Sequence, residues 1–168
     1  MSLVFYRQKN LGKVNFASST LSYFSLIAVL GLTSYAAREG AGLRNNAERI
    51  NNFCTELLTL NLCTTIFAYC IFGVVLVTSP RLHPYTGLLI IYSLTIIFST
   101  LGMEWVYTIY EDYLYITIRS ILMQFLSLIL MFIFVRDQND FYWYAAINVL
   151  ASVGGNIFNF FHVKNILS

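Results

Sequence analysis

Arg119 is the residue whose placement invites the most chemistry. It stands seven positions after Asp112 within Tyr115-Ile116-Thr117-Ile118-Arg119-Ser120, at the start of a long apolar run. On a helix this is about two turns, roughly 10 Å. A charge at that depth in an apolar segment is costly and is read first as functional. It either snorkels along its own stem or pairs with Asp112 or Glu111 inside a bundle. Glu104 and Glu111 are also seven apart, a spacing that places them on one helix face or leaves them as ordinary interfacial carboxylates. A second pattern carries amides and hydroxyls: Asn148, Ser152, Asn156 and Asn159 follow each other at intervals of four, four and three. That spacing makes one stripe on a helix, and it reads as the wall of a polar cavity, because lipid offers such groups no partner. Ser18, Ser22 and Ser25 repeat the idea more weakly. They read as small residues for close helix packing, as does Ala151-x-x-x-Gly155.

No catalytic constellation accompanies these residues. There is no nucleophile elbow, no HExxH and no phosphate-cradling glycine loop, and His83 and His162 stand far apart. The chain reads as a non-enzyme. Three cysteines, Cys54, Cys63 and Cys70, are an odd number without CxxC spacing, so no metal, cofactor or disulfide is expected. The ten basic residues are dispersed, with a net charge of +2 and no basic patch, which excludes nucleic acid as a partner.

The elements that must position these residues follow from composition. Of 168 residues, 58% are hydrophobic and only 11% charged, where a soluble domain has about a quarter charged. The charge-free gaps locate the spans. Lys13 to Arg38, Glu56 to Arg81, Arg81 to Glu104 and Asp140 to Lys164 each enclose 22 to 24 uncharged residues, enough to cross about 33 to 36 Å as helix. Asp112 to Arg136 is a fifth gap, broken only by Arg119. The expected fold is an all-α integral membrane protein, one domain over 1–168, with spans near 14–37, 57–80, 84–103, 113–135 and 141–163. The first run is too long for a cleaved signal peptide. Between the first two spans, 42–56 reads as an amphipathic helix in the membrane surface, with Leu43, Ala47, Ile50, Cys54 and Leu57 on its apolar face. Trp105, Tyr107, Tyr110, Tyr113 and Tyr115, and Phe141 to Tyr144, are expected in interfacial belts. Basic residues nearly balance between the two sides, so they set no orientation.

Three groups of residues in this order resemble one family. They are Leu11-Gly12-Lys13-Val14-Asn15-Phe16-Ala17 through Tyr35-Ala36-Ala37-Arg38-Glu39-Gly40-Ala41, then Leu101-Gly102-Met103-Glu104-Trp105 with Tyr110 to Ser120, then Ser152-Val153-Gly154-Gly155-Asn156-Ile157-Phe158-Asn159-Phe160. The chain is similar to polysaccharide-exporter flippases of the multidrug, oligosaccharidyl-lipid and polysaccharide exporter superfamily, over spans two to six of their N-terminal lobe. The resemblance implies translocation of undecaprenyl-pyrophosphate-linked oligosaccharide repeat units, such as O-antigen units of lipopolysaccharide, across the bacterial inner membrane. It implies a cavity between two lobes that opens to alternate sides, and hence a truncated chain that needs a C-terminal lobe or a partner polypeptide. Under it Arg38 and Arg119 would attract pyrophosphate or acidic sugars. Glu39, Glu104 and Glu111 would set the field, pair with those arginines or carry a coupled proton. Two other readings stay open: a cation-coupled multidrug-type exporter with a carboxylate-dominated cavity, and a non-transporting membrane fragment or scaffold.

Overall fold

A computed structural model describes residues 2–29, 31–43, 46–136 and 140–159, with side chains from Gly12 onward except at Ala47. Every regular element among them is helical. In chain order these are α1 (Ser2–Val29), α2 (Leu32–Leu43), α3 (Ala47–Thr78), a 3-10 turn (Pro80–Tyr85), α4 (Thr86–Gly102), α5 (Glu104–Ile109), α6 (Tyr113–Phe134) and α7 (Phe141–Val153). The helical backbone resumes over 155–159 after a turn at Gly154. Four stretches, Gly12–Leu43, Glu48–Thr78, Pro80–Gly102 and Tyr113–Phe134, are long and apolar enough to cross a membrane. The chain is therefore an all-α, multi-pass membrane protein. The fifth expected span begins as α7; its end, with His162 and Lys164, lies outside the described residues.

Local chemistry sets the boundaries. The Asn46 side chain caps α3 by accepting from the Arg49 amide at 3.1 Å, the favoured role of Asn at a helix start. Pro80 and Pro84 end α3 and shape the turn into α4. Asp112 caps α6, accepting from the Tyr115 amide at 3.3 Å.

Two expected elements come out differently. The first span is not one helix: the chain turns at Gly31, whose φ of +73° suits a residue without a β-carbon. The segment 42–56 is not a separate surface helix, since α3 starts at Ala47 and runs unbroken into the second span. Its apolar face is as read, with Ile50, Cys54 and Leu57 buried, but that face packs on Met103, Trp105, Val106, Tyr107 and Ile109 of the same chain instead of on lipid. Four of the six α5 residues, Trp105, Val106, Tyr107 and Ile109, are buried, and they supply the protein surface that covers it.

Contacts fix the helix directions. Phe16 meets Tyr85 at 5.1 Å, Lys13 lies 5.9 Å from the Phe141 ring, and Gly87 meets Tyr142, so α1, α4 and α7 start at one end and run parallel. Thr64 donates to the Ala28 carbonyl, and Thr65 bonds Thr100 at 2.7 Å, which makes α3 antiparallel to α1 and α4. Phe134 stacks on Trp143 while Arg119 reaches Gly155, so α6 is antiparallel to α7. Two apolar cores result. The first joins α1, α3, α4 and α7 around Leu21, Ala68, Leu89 and Ile96. The second joins α2, the start of α3 and α5 around Ala36, Leu57, Val106 and Tyr107.

Candidate functional site

The polar stripes read from the sequence meet across a cleft. Between α1, α4 and α7 lies a cleft of about 670 Å³, lined on its polar side by Asn15, Ser18, Ser22, Ser25, Asn148 and Ser152. The serines of α1, expected to serve close packing, instead stand opposite the α7 stripe. Space opens there because α1 and α7 both pack on α4 yet touch each other little. Three donors on these walls bond within their own helices: Ser22 donates to the Ser18 carbonyl at 2.9 Å, Ser152 to the Val149 carbonyl at 3.0 Å, and Asn148 to the Tyr144 carbonyl at 2.9 Å. Oxygen lone pairs remain to accept hydrogen bonds from a ligand. Among the described residues, none that lines the cleft is charged.

The lower half of the α7 stripe does something else. The turn at Gly154 separates Asn148 and Ser152 from Asn156 and Asn159, which are 2% and 0% exposed and sit in a buried polar cluster. Arg119, only 8% exposed, is the centre of it. Its Nη2 donates to Glu104 Oε1 at 2.6 Å and its Nη1 to the Gly155 carbonyl at 3.4 Å. Neither Asp112 nor Glu111 is its partner: Asp112 is occupied as the α6 cap, and Glu111 lies on the exposed turn beyond α5 with φ +57°. Glu104 and Glu111 share no helix face, because α5 ends between them. Room for the arginine comes from two glycines. A β-carbon at Gly155 would stand 2.7 Å from Arg119 Nε, and one at Gly102 would stand 2.6 Å from Asn156 Nδ2.

Trp105 and Tyr107, expected as membrane-interface anchors, are core residues at 3% and 0% exposure. Tyr107 stacks on Tyr115 at 5.0 Å and donates to the Asn159 carbonyl at 3.4 Å. Burial, reinforced by Tyr115, pushes the Tyr107 phenol well above its usual range, so it stays a protonated donor. Tyr142 and Trp143, by contrast, are exposed, at 46% and 54%. Several buried atoms of the cluster find no hydrogen-bond partner among the described residues: Arg119 Nε, Asn156 Oδ1 and both amide atoms of Asn159.

The structure thus brings Glu104, Arg119, Asn156 and Asn159 together, places Asn148 in the cleft, and leaves Arg38, Glu39 and Glu111 outside both. Arg38 and Glu39 pair with each other at 3.3 Å on α2, with side chains 79% and 48% exposed. Sequence reading missed Tyr92 and Thr95, the α4 contribution to the cleft wall. Their signal was weak, because α4 is otherwise apolar. Among the described residues no group of His, Cys, Asp and Glu is arranged to hold a metal ion.

Residues 7–167 match the family described as polysaccharide biosynthesis protein. No curated protein and no solved structure matches the chain.

Proposed function

The chain belongs to the polysaccharide biosynthesis protein family, and on that premise we propose that it helps translocate undecaprenyl-pyrophosphate-linked oligosaccharide repeat units across the bacterial inner membrane. The supporting observation is the cleft between α1, α4 and α7, whose serines and asparagines lie within otherwise apolar helices. Sugar hydroxyls are donors that need acceptors in a low-dielectric setting, and hydroxyl and amide side chains supply them without a fixed charge. The lipid chain stays in the bilayer while the sugar passes along this wall. The described cleft walls, hydroxyls and amides with no carboxylate among them, suit a neutral or anionic headgroup better than a cationic drug. We assign the pyrophosphate contact to Arg38, whose pair with Glu39 is solvent-exposed and readily exchanged, and not to Arg119, whose guanidinium is buried against Glu104. No covalent step is involved, and the protein acts as a transporter.

The test fills the cleft. Ser22→Leu combined with Asn148→Leu places apolar bulk on both walls, and flipping of a labelled lipid-linked oligosaccharide is measured in proteoliposomes. The rate is expected to fall on the order of tenfold or more, as when buried polar partners of a substrate are lost, with insertion unchanged. Unaltered flipping removes the cleft from the path. Absence of flipping in the parent protein favours the scaffold reading.

A further inference from the structure

The two ends of the bundle differ in charge, although their described cations are equal in number. One end gathers the starts of α1, α4 and α7, the 3-10 turn and the end of α6. Its described charges are Lys13, Arg81 and Arg136 against Asp140, three cations to one carboxylate, a net of +2. The other end gathers α2, α5 and the starts of α3 and α6. There Arg38, Arg49 and Arg119 stand against Glu39, Glu48, Glu56, Glu104, Glu111 and Asp112, three cations to six carboxylates, a net of −3. The carboxylates, not the basic residues, make the difference. Each cation of the positive end sits at the edge of a membrane-spanning stretch: Lys13 follows Gly12, Arg81 follows Pro80, and Arg136 comes two residues after Phe134.

Rings and backbone hold these cations at that edge. Lys13 lies over the Phe141 ring, Phe141 meets Tyr142 at 4.4 Å, and Phe134 stacks on Trp143 at 5.0 Å. Arg81 and His83 are exposed on either side of Leu82, which is buried in the first core, and Pro80 and Pro84 restrict the backbone around them. Asp140, the one described carboxylate at this end, accepts from the Arg136 backbone amide at 3.2 Å. We propose that this end is a docking surface for the headgroups of anionic phospholipids, with Lys13, Arg81 and Arg136 meeting their phosphates and the aromatic rings fixing the depth. Charge and position together select the occupant. A basic group at the end of a membrane-spanning helix faces the phosphate layer, anionic lipids are drawn to such groups, and aromatic rings settle at the same level. Lys and Arg reach the phosphates while their stems lie along apolar surface. The carboxylates of the opposite end repel the same lipids. Lipid held here needs no sugar substrate and lies outside the cleft.

Trp143, exposed beside Phe134, reports which lipids gather at this end. The full chain is reconstituted into bilayers of equal parts phosphatidylglycerol and phosphatidylcholine, with bromine on the acyl chains of one lipid or the other. The quenching that belongs to Trp143 is the difference between the parent protein and Trp143→Phe. Brominated phosphatidylglycerol should quench more strongly, to an extent that corresponds to a local enrichment on the order of fivefold, the scale of one basic side chain at a charged membrane surface. In about 0.5 M salt the enrichment should fall toward one, because exposed charges are then screened. Lys13→Gln, Arg81→Gln and Arg136→Gln together should abolish it, while Arg38→Gln with Arg49→Gln, at the opposite end, should leave it in place. All five side chains are exposed or half-buried, so their replacement spares both cores. Equal quenching by the two lipids in the parent protein overturns the docking surface. So does an enrichment that survives the triple replacement, or one that the Arg38 and Arg49 replacements reduce as much.

Discussion

Asn156, three residues beyond α7, packs against Gly102 of α4, so close that a β-carbon on Gly102 would stand 2.5 Å from the Asn156 Cβ. This contact locks two parallel helices together at the level where each of them turns. It also explains how a polar residue comes to be 2% exposed in a membrane bundle: backbone, not side chain, faces it.

Gly102→Ala is accordingly expected to lower the thermal midpoint of the solubilised protein, by about 1–3 kcal/mol of overpacking. Asn156→Ala in the same background frees the space and should return most of the loss. A midpoint that Gly102→Ala leaves unmoved would mean that α4 and α7 do not approach this closely.

The Arg119–Glu104 pair is asymmetric, with side chains 9% and 47% exposed, and its two halves should respond differently. Glu104→Ala strands a buried cation, a loss of about 3–5 kcal/mol for a fully buried pair and roughly half that here, because water reaches the carboxylate side. Arg119→Met keeps the length of the side chain, removes the charge and leaves a carboxylate that water can hydrate. Reversible unfolding in mixed micelles should rank Glu104→Ala as clearly less stable than Arg119→Met. The opposite ranking would show that the guanidinium is not buried.

The two tryptophans should separate by quenching. Trp105 is enclosed by the second core while Trp143 is half uncovered by the chain, so brominated lipids should quench Trp143 and spare Trp105. Fluorescence of Trp143→Phe should then be almost insensitive to those lipids. Strong residual quenching would return Trp105 to the membrane interface.

The sequence alone determined that this is a helical membrane protein, because the cost of a charge in hydrocarbon leaves its mark in the charge-free gaps. It also determined which residues stand out: Arg119 in an apolar run and asparagines on a helical stripe are costly in lipid wherever the helices go. The apolar face Ile50, Cys54, Leu57 was equally legible, since periodicity is a property of one helix. What covers such a face is not. Tertiary structure decided that α5 and not lipid lies on it, that Trp105 and Tyr107 are core, and that the serines of α1 look across a cleft at Asn148. It decided too that the α7 stripe divides at Gly154, and that Arg119 takes Glu104, fifteen residues away, over the nearer Asp112. The physical reason is the same in each case. Spacing along a helix says which side chains share a side, but partners are set by where backbones turn and how closely they approach, and here the left-handed turns at Gly31 and Met103 and the bare backbones of Gly102 and Gly155 set both.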